Sequence, residues 1–144
     1  MNALNILVVD DSVAVMDRIT ELLKDLVGVD LGGSAHNIQE ASHFMEHLSP
    51  DIVVLDLQLP DGNGFDVLKA IKKEHPEIVV IVLTNSASLP VRKRCLLAGA
   101  DFFLDKSDEF EKLPQIIMEI AVATHAATKV IPLSQQATSR KAAL

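Results

Sequence analysis

Short apolar runs recur at residues 4–9, 52–55, 78–83 and 102–104, the first interrupted only by Asn5. They are rich in Ile, Val and Leu and mostly lack polar alternation, which is how strands buried on both faces of a parallel sheet read. Amphipathic stretches with helical spacing lie between them. Val15, Ile19, Leu22, Leu23 and Leu26 fall on one face, with Asp17, Arg18, Glu21 and Lys24 turned away. Phe65, Leu68 and Ile71 repeat the pattern and stop at His75-Pro76; Leu113, Ile116, Ile117 and Ile120 repeat it again. Ser12 and Ser88 stand where N-caps are needed, the latter with Pro90 in the first turn. Residues 29–35 form the weakest predicted strand, because Gly32-Gly33 dilutes its β propensity, and 39–48 follow as a short helix.

The predicted order is β-α-β-α-β-α-β-α-β-α. Such alternation implies right-handed crossovers and a parallel sheet covered by helices on both faces. No internal repeat or Gly/Ser linker divides residues 1–125. From about Ala126 the periodicity fades into Thr, Ser, Gln and Lys, so one domain over 1–125 and a tail over 126–144 are expected, the tail either extending the last helix or flexible. Its 19 residues are too few for a helix-turn-helix or similar output domain.

Composition narrows the class. Of 144 residues 49% are hydrophobic, enough for one real core and too few in number for two domains. With 13 Lys+Arg against 20 Asp+Glu the net charge is −7, which argues against gripping nucleic acid or an anionic membrane through a basic face. The lone Cys95 makes neither an intramolecular disulfide nor a Cys-based zinc site. No export signal is visible, and no apolar run approaches the roughly 20 residues of a spanning helix. A cytoplasmic protein without membrane insertion is expected.

Ligands of an open parallel sheet bind at the carboxyl ends of its strands. Asp10, Asp11 and Ser12 follow the first predicted strand, Asp56 the third, Thr84, Asn85 and Ser86 the fourth, and Asp105 and Lys106 the fifth. Side-by-side strands would bring three carboxylates, a hydroxyl and an ammonium to one edge. Two unit charges about 5 Å apart repel by roughly 3 kcal/mol at an effective dielectric near 20, so such crowding calls for a counter-charge. Lys106 supplies part of it. An all-oxygen, carboxylate-rich site suits Mg²⁺, with Mn²⁺ the alternative. A hard metal beside a carboxylate, with Lys and Thr facing it, is equipped for phosphoryl transfer, and the carboxylate itself can be the nucleophile.

The set Asp10-Asp11, Asp56, Leu59-Pro60-Asp61-Gly62-Asn63-Gly64, Thr84 and Lys106 resembles the receiver domain of two-component response regulators, over roughly residues 4–125. The resemblance implies a flavodoxin- or CheY-like (βα)5 fold with strand order 2-1-3-4-5. It implies Asp56 as phosphoryl acceptor, with Mg²⁺ on Asp11, Asp56 and the backbone carbonyl of Gln58, and Asp10 supporting it through water. Thr84 and Lys106 are then expected to hold phosphoryl oxygens, and Phe103 to occupy an aromatic switch position. The implied partners are a histidine kinase or phosphotransfer protein and a downstream protein target met through helix 4, strand 5 and helix 5. A stand-alone switch is expected: no enzyme on a separate substrate, no nucleic-acid binding by this chain, and a monomer or weak dimer.

Several positions depart from that pattern. Ser107 follows Lys106 where the family most often has a proline after a cis bond; a cis Lys106–Ser107 bond is expected, at a cost of about 2.5–4 kcal/mol. Phe103 in place of Tyr leaves a buried ring without a hydroxyl. Asn85 stands where small residues are common and is expected to narrow access to Asp56, while Gln58 and Ser86 flank the route of attacking water and tune phosphoryl lifetime. Arg92, Lys93 and Arg94 form a basic cluster near the start of the fourth helix, where cations oppose the macrodipole by roughly 0.3–1 kcal/mol each. They read equally as an acidic partner's footprint and as a solvated face. His43 and His47, four apart, have no third ligand and read as an exposed pair.

Three other functions compete. A metal-dependent aspartyl phosphatase or phosphotransferase would carry Asp-x-Asp at the first strand's end and a cap insertion, where this chain has Asp10-Asp11-Ser12. A flavodoxin-like carrier would need a Ser/Thr/Gly-rich phosphate loop and aromatics to hold its ring, and the chain has no Trp or Tyr. The third is a docking module on the same fold that is never phosphorylated.

Overall fold

The predicted strands pair into one parallel sheet in the computed structural model, which describes residues 3–130, with side chains to Thr124. They are β1 (Leu4–Val9), β2 (Val29–Ala35), β3 (Ile52–Leu55), β4 (Val79–Thr84) and β5 (Phe102–Asp105), in the order β2-β1-β3-β4-β5. The helices are α1 (Val13–Leu23), α2 (Ile38–His47), α3 (Gly64–Glu74), α4 (Leu89–Leu97) and α5 (Leu113–Val130), the last entered through a 3₁₀ turn at Phe110–Lys112. The expected boundary at residue 125 falls inside α5; residues 131–144 of the expected tail lie outside the described residues. No helix among the described residues is long and apolar enough to cross a membrane.

Strand alternation splits the core into two layers, as a period of two demands. Leu7, Val9, Val53, Leu55, Val80 and Val82 point toward α2, α3 and α4, where Ala41, Phe65, Leu68, Ile71 and Cys95 meet them. Ile6, Val8, Ile52, Val54, Ile81 and Leu83 point the other way, onto Ile19 and Leu23 of α1 and Leu113, Ile117 and Ile120 of α5. Both faces are dry, which is why the runs show no polar alternation and Asn5, near the start of β1, is their one polar position.

Helix starts follow the side chains available. The Ser12 hydroxyl accepts from Val15 N–H at 3.2 Å, and the Ser88 hydroxyl from Val91 N–H at 3.4 Å. Asn37 and Asn63 cap α2 and α3 in the same way.

The low β propensity of Gly32-Gly33 has a packing reason. The β1–β2 register shifts between Ile6 and Leu7, so that Gly32 is passed over, and a Cβ on Gly33 would meet the Phe44 ring at 2.8 Å. The two glycines let α2 lie close against the edge strand.

Gln58–Leu59 and Gly62–Asn63 pair as a minimal antiparallel hairpin. One expectation changes. The Lys106–Ser107 bond is trans, as are all described peptide bonds. With serine there is no tertiary amide to offset the cis cost, and the Ser107 N–H closes a tight turn onto Asp105 Oδ1 at 2.8 Å.

Candidate functional site

Ladder hydrogen bonds carry the strand ends to one level. Asp10 N–H donates to Ala35 O at 2.9 Å, Asp56 N–H to Val9 O at 2.9 Å, and Lys106 N–H to Thr84 O at 3.0 Å. Asp10, Asp56, Thr84 and Lys106 therefore face one another across adjacent strands, although they are far apart in the chain.

Lys106 holds the centre. Its Nζ lies 2.7 Å from Asp10 Oδ2 and 3.0 Å from Asp56 Oδ2, and the side chains are 10%, 4% and 5% exposed. Burial pushes the Asp10 carboxyl above its ordinary range, against the opposing pull of the Lys106 hydrogen bond. Burial acts on Lys106 in the opposite sense, and its hydrogen bonds to Asp10 and Asp56 outweigh that, so the ammonium is held above its usual value. The other carboxylate oxygens are set by backbone: Asp10 Oδ1 accepts from Ser12 N–H at 2.9 Å, and Asp56 Oδ1 from Gln58 N–H at 3.3 Å.

Asp11 is exposed, yet carboxylate oxygens of Asp10, Asp11 and Asp56 all lie within 4.8 Å of one another. One lysine against three carboxylates leaves net negative charge. This donor set fits a hard divalent cation that takes one or two carboxylates and keeps several waters. Gln58 sits in the hairpin directly after the Asp56 turn.

Thr84 is fully buried, and its hydroxyl accepts from Ser86 N–H at 3.2 Å. Asn85 is exposed at the rim and Ser86 half-buried. Phe103 is 5% exposed and already packed in the core against α4.

The basic cluster does not form one patch. Arg92 lies over the Phe103 ring at 4.8 Å and donates to Phe103 O at 3.0 Å and Glu109 Oε1 at 2.8 Å. Arg94 lies over Phe65 at 4.1 Å, which leaves Lys93 pointing outward.

The contacts of two residues here escaped the sequence reading. Glu109 also accepts from Asp105 N–H at 3.0 Å, and hydrogen bonds from Arg92 and this amide hold its carboxyl down at about 2. Asp61 reaches across the fold to accept from Ile38 N–H at 2.8 Å and Gln39 N–H at 3.2 Å, tying the hairpin to the start of α2. No local spacing announces either partner.

Gly64 closes the site's lower wall. Its N–H donates to Leu57 O at 2.8 Å, and a Cβ there would overlap the Asp56 carbonyl oxygen. Only glycine lets α3 begin this close to the Asp56 turn.

Comparison with known proteins places this geometry. The protein-glutamate methylesterase/protein-glutamine glutaminase of Idiomarina loihiensis is 35% identical over 139 residues, covering 96% of this chain and 35% of that protein. A CheY-like receiver domain from Methanospirillum hungatei has a similar structure, with a TM-score of 0.76, 27% identity, and coverage of 88% of this chain and 99% of that one. A chain from the CheX–CheY–BeF3–Mg²⁺ complex of Borrelia burgdorferi matches with a TM-score of 0.74 and 28% identity, covering 83% of this chain and 90% of that one. The chain spans about a third to about half the length of the first curated relatives, from 35% to 55%. Receiver domains are mostly non-enzymatic signalling modules, although some relatives are esterases at full length. They bind Mg²⁺ at an acidic pocket and interact with histidine kinases or phosphotransfer proteins. Residues 6–118 match the response regulator receiver domain family, and the chain belongs to it.

Proposed function

We propose that Asp56 takes a phosphoryl group from the phosphohistidine of a histidine kinase or phosphotransfer protein and that the modified chain signals through protein contacts. The observation that carries this reading is the bridge from Lys106 to Asp56 and Asp10, with the third carboxylate, Asp11, within 4.8 Å. An Asp56 carboxylate oxygen attacks phosphorus, the P–N bond breaks, and the histidine leaves as imidazole with a proton from solvent. The product is an acyl phosphate.

Asp11, Asp56 and the Gln58 backbone carbonyl would hold Mg²⁺, or Mn²⁺, with Asp10 supporting it through water. The metal's chemistry is neutralisation of charge on the phosphoryl oxygens. Lys106 sits where it can trade a carboxylate for a phosphoryl oxygen, keeping its charge in place. Thr84 must give up Ser86 N–H to turn toward the same group, which links phosphorylation to the β4–α4 loop. The added group brings about −1.5 to −2 charge into a pocket that already holds net negative charge, so donors must reorder around it. Asn85, Gln58 and Ser86 border the approach of water and tune lifetime. Output runs through the face of α4, β5 and α5, where Lys93 is an outward cation.

Intact-protein mass after incubation with acetyl phosphate and Mg²⁺ tests this, beside an Asp56→Asn control. One added phosphoryl group, absent from the control and released by hydroxylamine, is the expected result. Retention of the added mass in Asp56→Asn would overturn the assignment.

A further inference from the structure

A groove of about 530 Å³ runs between α2 and α3, on the side of the sheet away from α1 and α5. Its floor is apolar: Ala41 and Ile71 are buried, Ile38, Met45 and Val67 half-buried, and Ala70 exposed. Glu46, Asp66 and Glu74 stand along it. Lys69 approaches Asp66 only at 4.0 Å, and Glu46 and Glu74 have no ion pair among the described residues. A second cleft of about 360 Å³ shares Met45, Ser49 and His75 with the groove and is lined on its other side by Ile120 and Thr124 of α5. Together the two clefts make one path from α5 to the groove.

The chain that leaves α5 carries the complementary charge. Residues 131–144 contain Arg140 and Lys141 and no Asp or Glu, so residues 1–130 hold 11 Lys+Arg against 20 Asp+Glu, a net charge of −9. The same segment supplies apolar residues at both ends, Ile131 and Leu133 at one and Leu144 at the other. α5 continues about 9 Å beyond Thr124 to Val130. The 14 residues that follow span at most about 46 Å when extended, enough to return over the second cleft and along the groove.

We propose that residues 131–144 dock in the α2–α3 groove, with Arg140 and Lys141 against Glu46, Asp66 and Glu74 and Leu144 on the apolar floor. Tethering supplies an effective concentration on the order of mM, so a contact too weak to form between separate molecules is still made within one. Rim charges make it sensitive to salt. The proposal does not depend on phosphoryl transfer at Asp56 and stands or falls separately.

The test uses the full chain with a nitroxide on Ala143→Cys; Cys95 is 1% exposed and escapes labelling in the folded protein. At about 50 mM salt, where the screening length exceeds 10 Å, the amide signals of Met45, Val67, Ala70 and Glu74 should weaken several-fold more than those of α1. Arg140→Glu with Lys141→Glu should return them to the α1 level, and tenfold dilution should leave the effect unchanged. Ala70→Arg, at an exposed position that leaves the core intact, should abolish it as well, because it sets a like charge against Arg140 and Lys141. Equal weakening of groove and α1, indifference to the charge reversal, or loss of the effect on dilution would overturn the proposal; the last would put a second copy's segment in the groove.

Discussion

Arg92 on α4 and Glu109, 17 residues later, are joined at 2.8 Å across the top of β5. The same guanidinium covers Phe103, and the same carboxylate oxygen accepts from Asp105 N–H, one residue before Lys106. α4 is thereby fastened to the strand end that carries the lysine of the site. A displacement of Lys106 toward a phosphoryl group has a direct route into α4, through Asp105, Glu109 and Arg92.

Glu109 makes this contact visible in pH dependence. Its carboxyl is held at about 2 against an ordinary 4.5, so the folded state favours the ionised form. The stabilisation is complete above pH 4.5 and is lost as pH falls from there toward about 2. Urea unfolding at several pH values across this window should show wild type losing stability faster than Glu109→Gln. Parallel curves would remove the contact from the account of stability.

Lys106→Met should be costly without metal. It leaves Asp10 and Asp56 buried and facing each other without a cation, and removal of one member of a buried pair costs about 3–5 kcal/mol. Mg²⁺ should recover part of the loss by replacing the missing charge. Chemical denaturation with and without Mg²⁺ measures both effects, and an unchanged unfolding midpoint in metal-free buffer would contradict the bridge.

Asp11 has no share in the lysine bridge, so it is the carboxylate whose charge is least compensated. Asp11→Asn should raise the melting temperature of the metal-free protein by roughly 3 °C, as expected for about 1 kcal/mol of relieved repulsion. Mg²⁺ should raise the melting temperature of wild type and have much less effect on Asp11→Asn. A larger Mg²⁺ response in the variant than in wild type would exclude Asp11 as a ligand.

Gly64→Ala tests the close approach of α3 to the Asp56 turn. The added methyl group overlaps the Asp56 carbonyl oxygen, and relief requires moving backbone rather than a side-chain tip. A loss of about 2–3 kcal/mol is expected, together with slower phosphorylation by acetyl phosphate. Wild-type stability in Gly64→Ala would show that the helix start can yield freely.

Much of this protein is legible in its sequence because the signals are local. Apolar runs rich in Ile, Val and Leu mark strands wet on neither face, Ser12 and Ser88 mark helix starts, and a polar residue at the end of each run marks the edge of the candidate site. Where local signals mislead, a distant neighbour is the cause. Gly32-Gly33 weakens β2 as a strand, yet Phe44 on α2 needs the space. Arg92, Lys93 and Arg94 look like one patch, but Arg92 is held on Phe103 and Glu109 while Arg94 lies over Phe65.

The sequence by itself determined which residues are apolar on which period, and so the strands, the helices and the edge at which Asp10, Asp11, Asp56, Thr84 and Lys106 assemble. Only the tertiary structure decided the pairings: Lys106 between Asp10 and Asp56, Arg92 with Glu109, Asp61 at the start of α2, and a trans bond after Lys106. Hydrophobic period is a property of neighbouring positions along the chain, whereas an ion pair depends on a few ångströms between groups that the chain holds tens of residues apart.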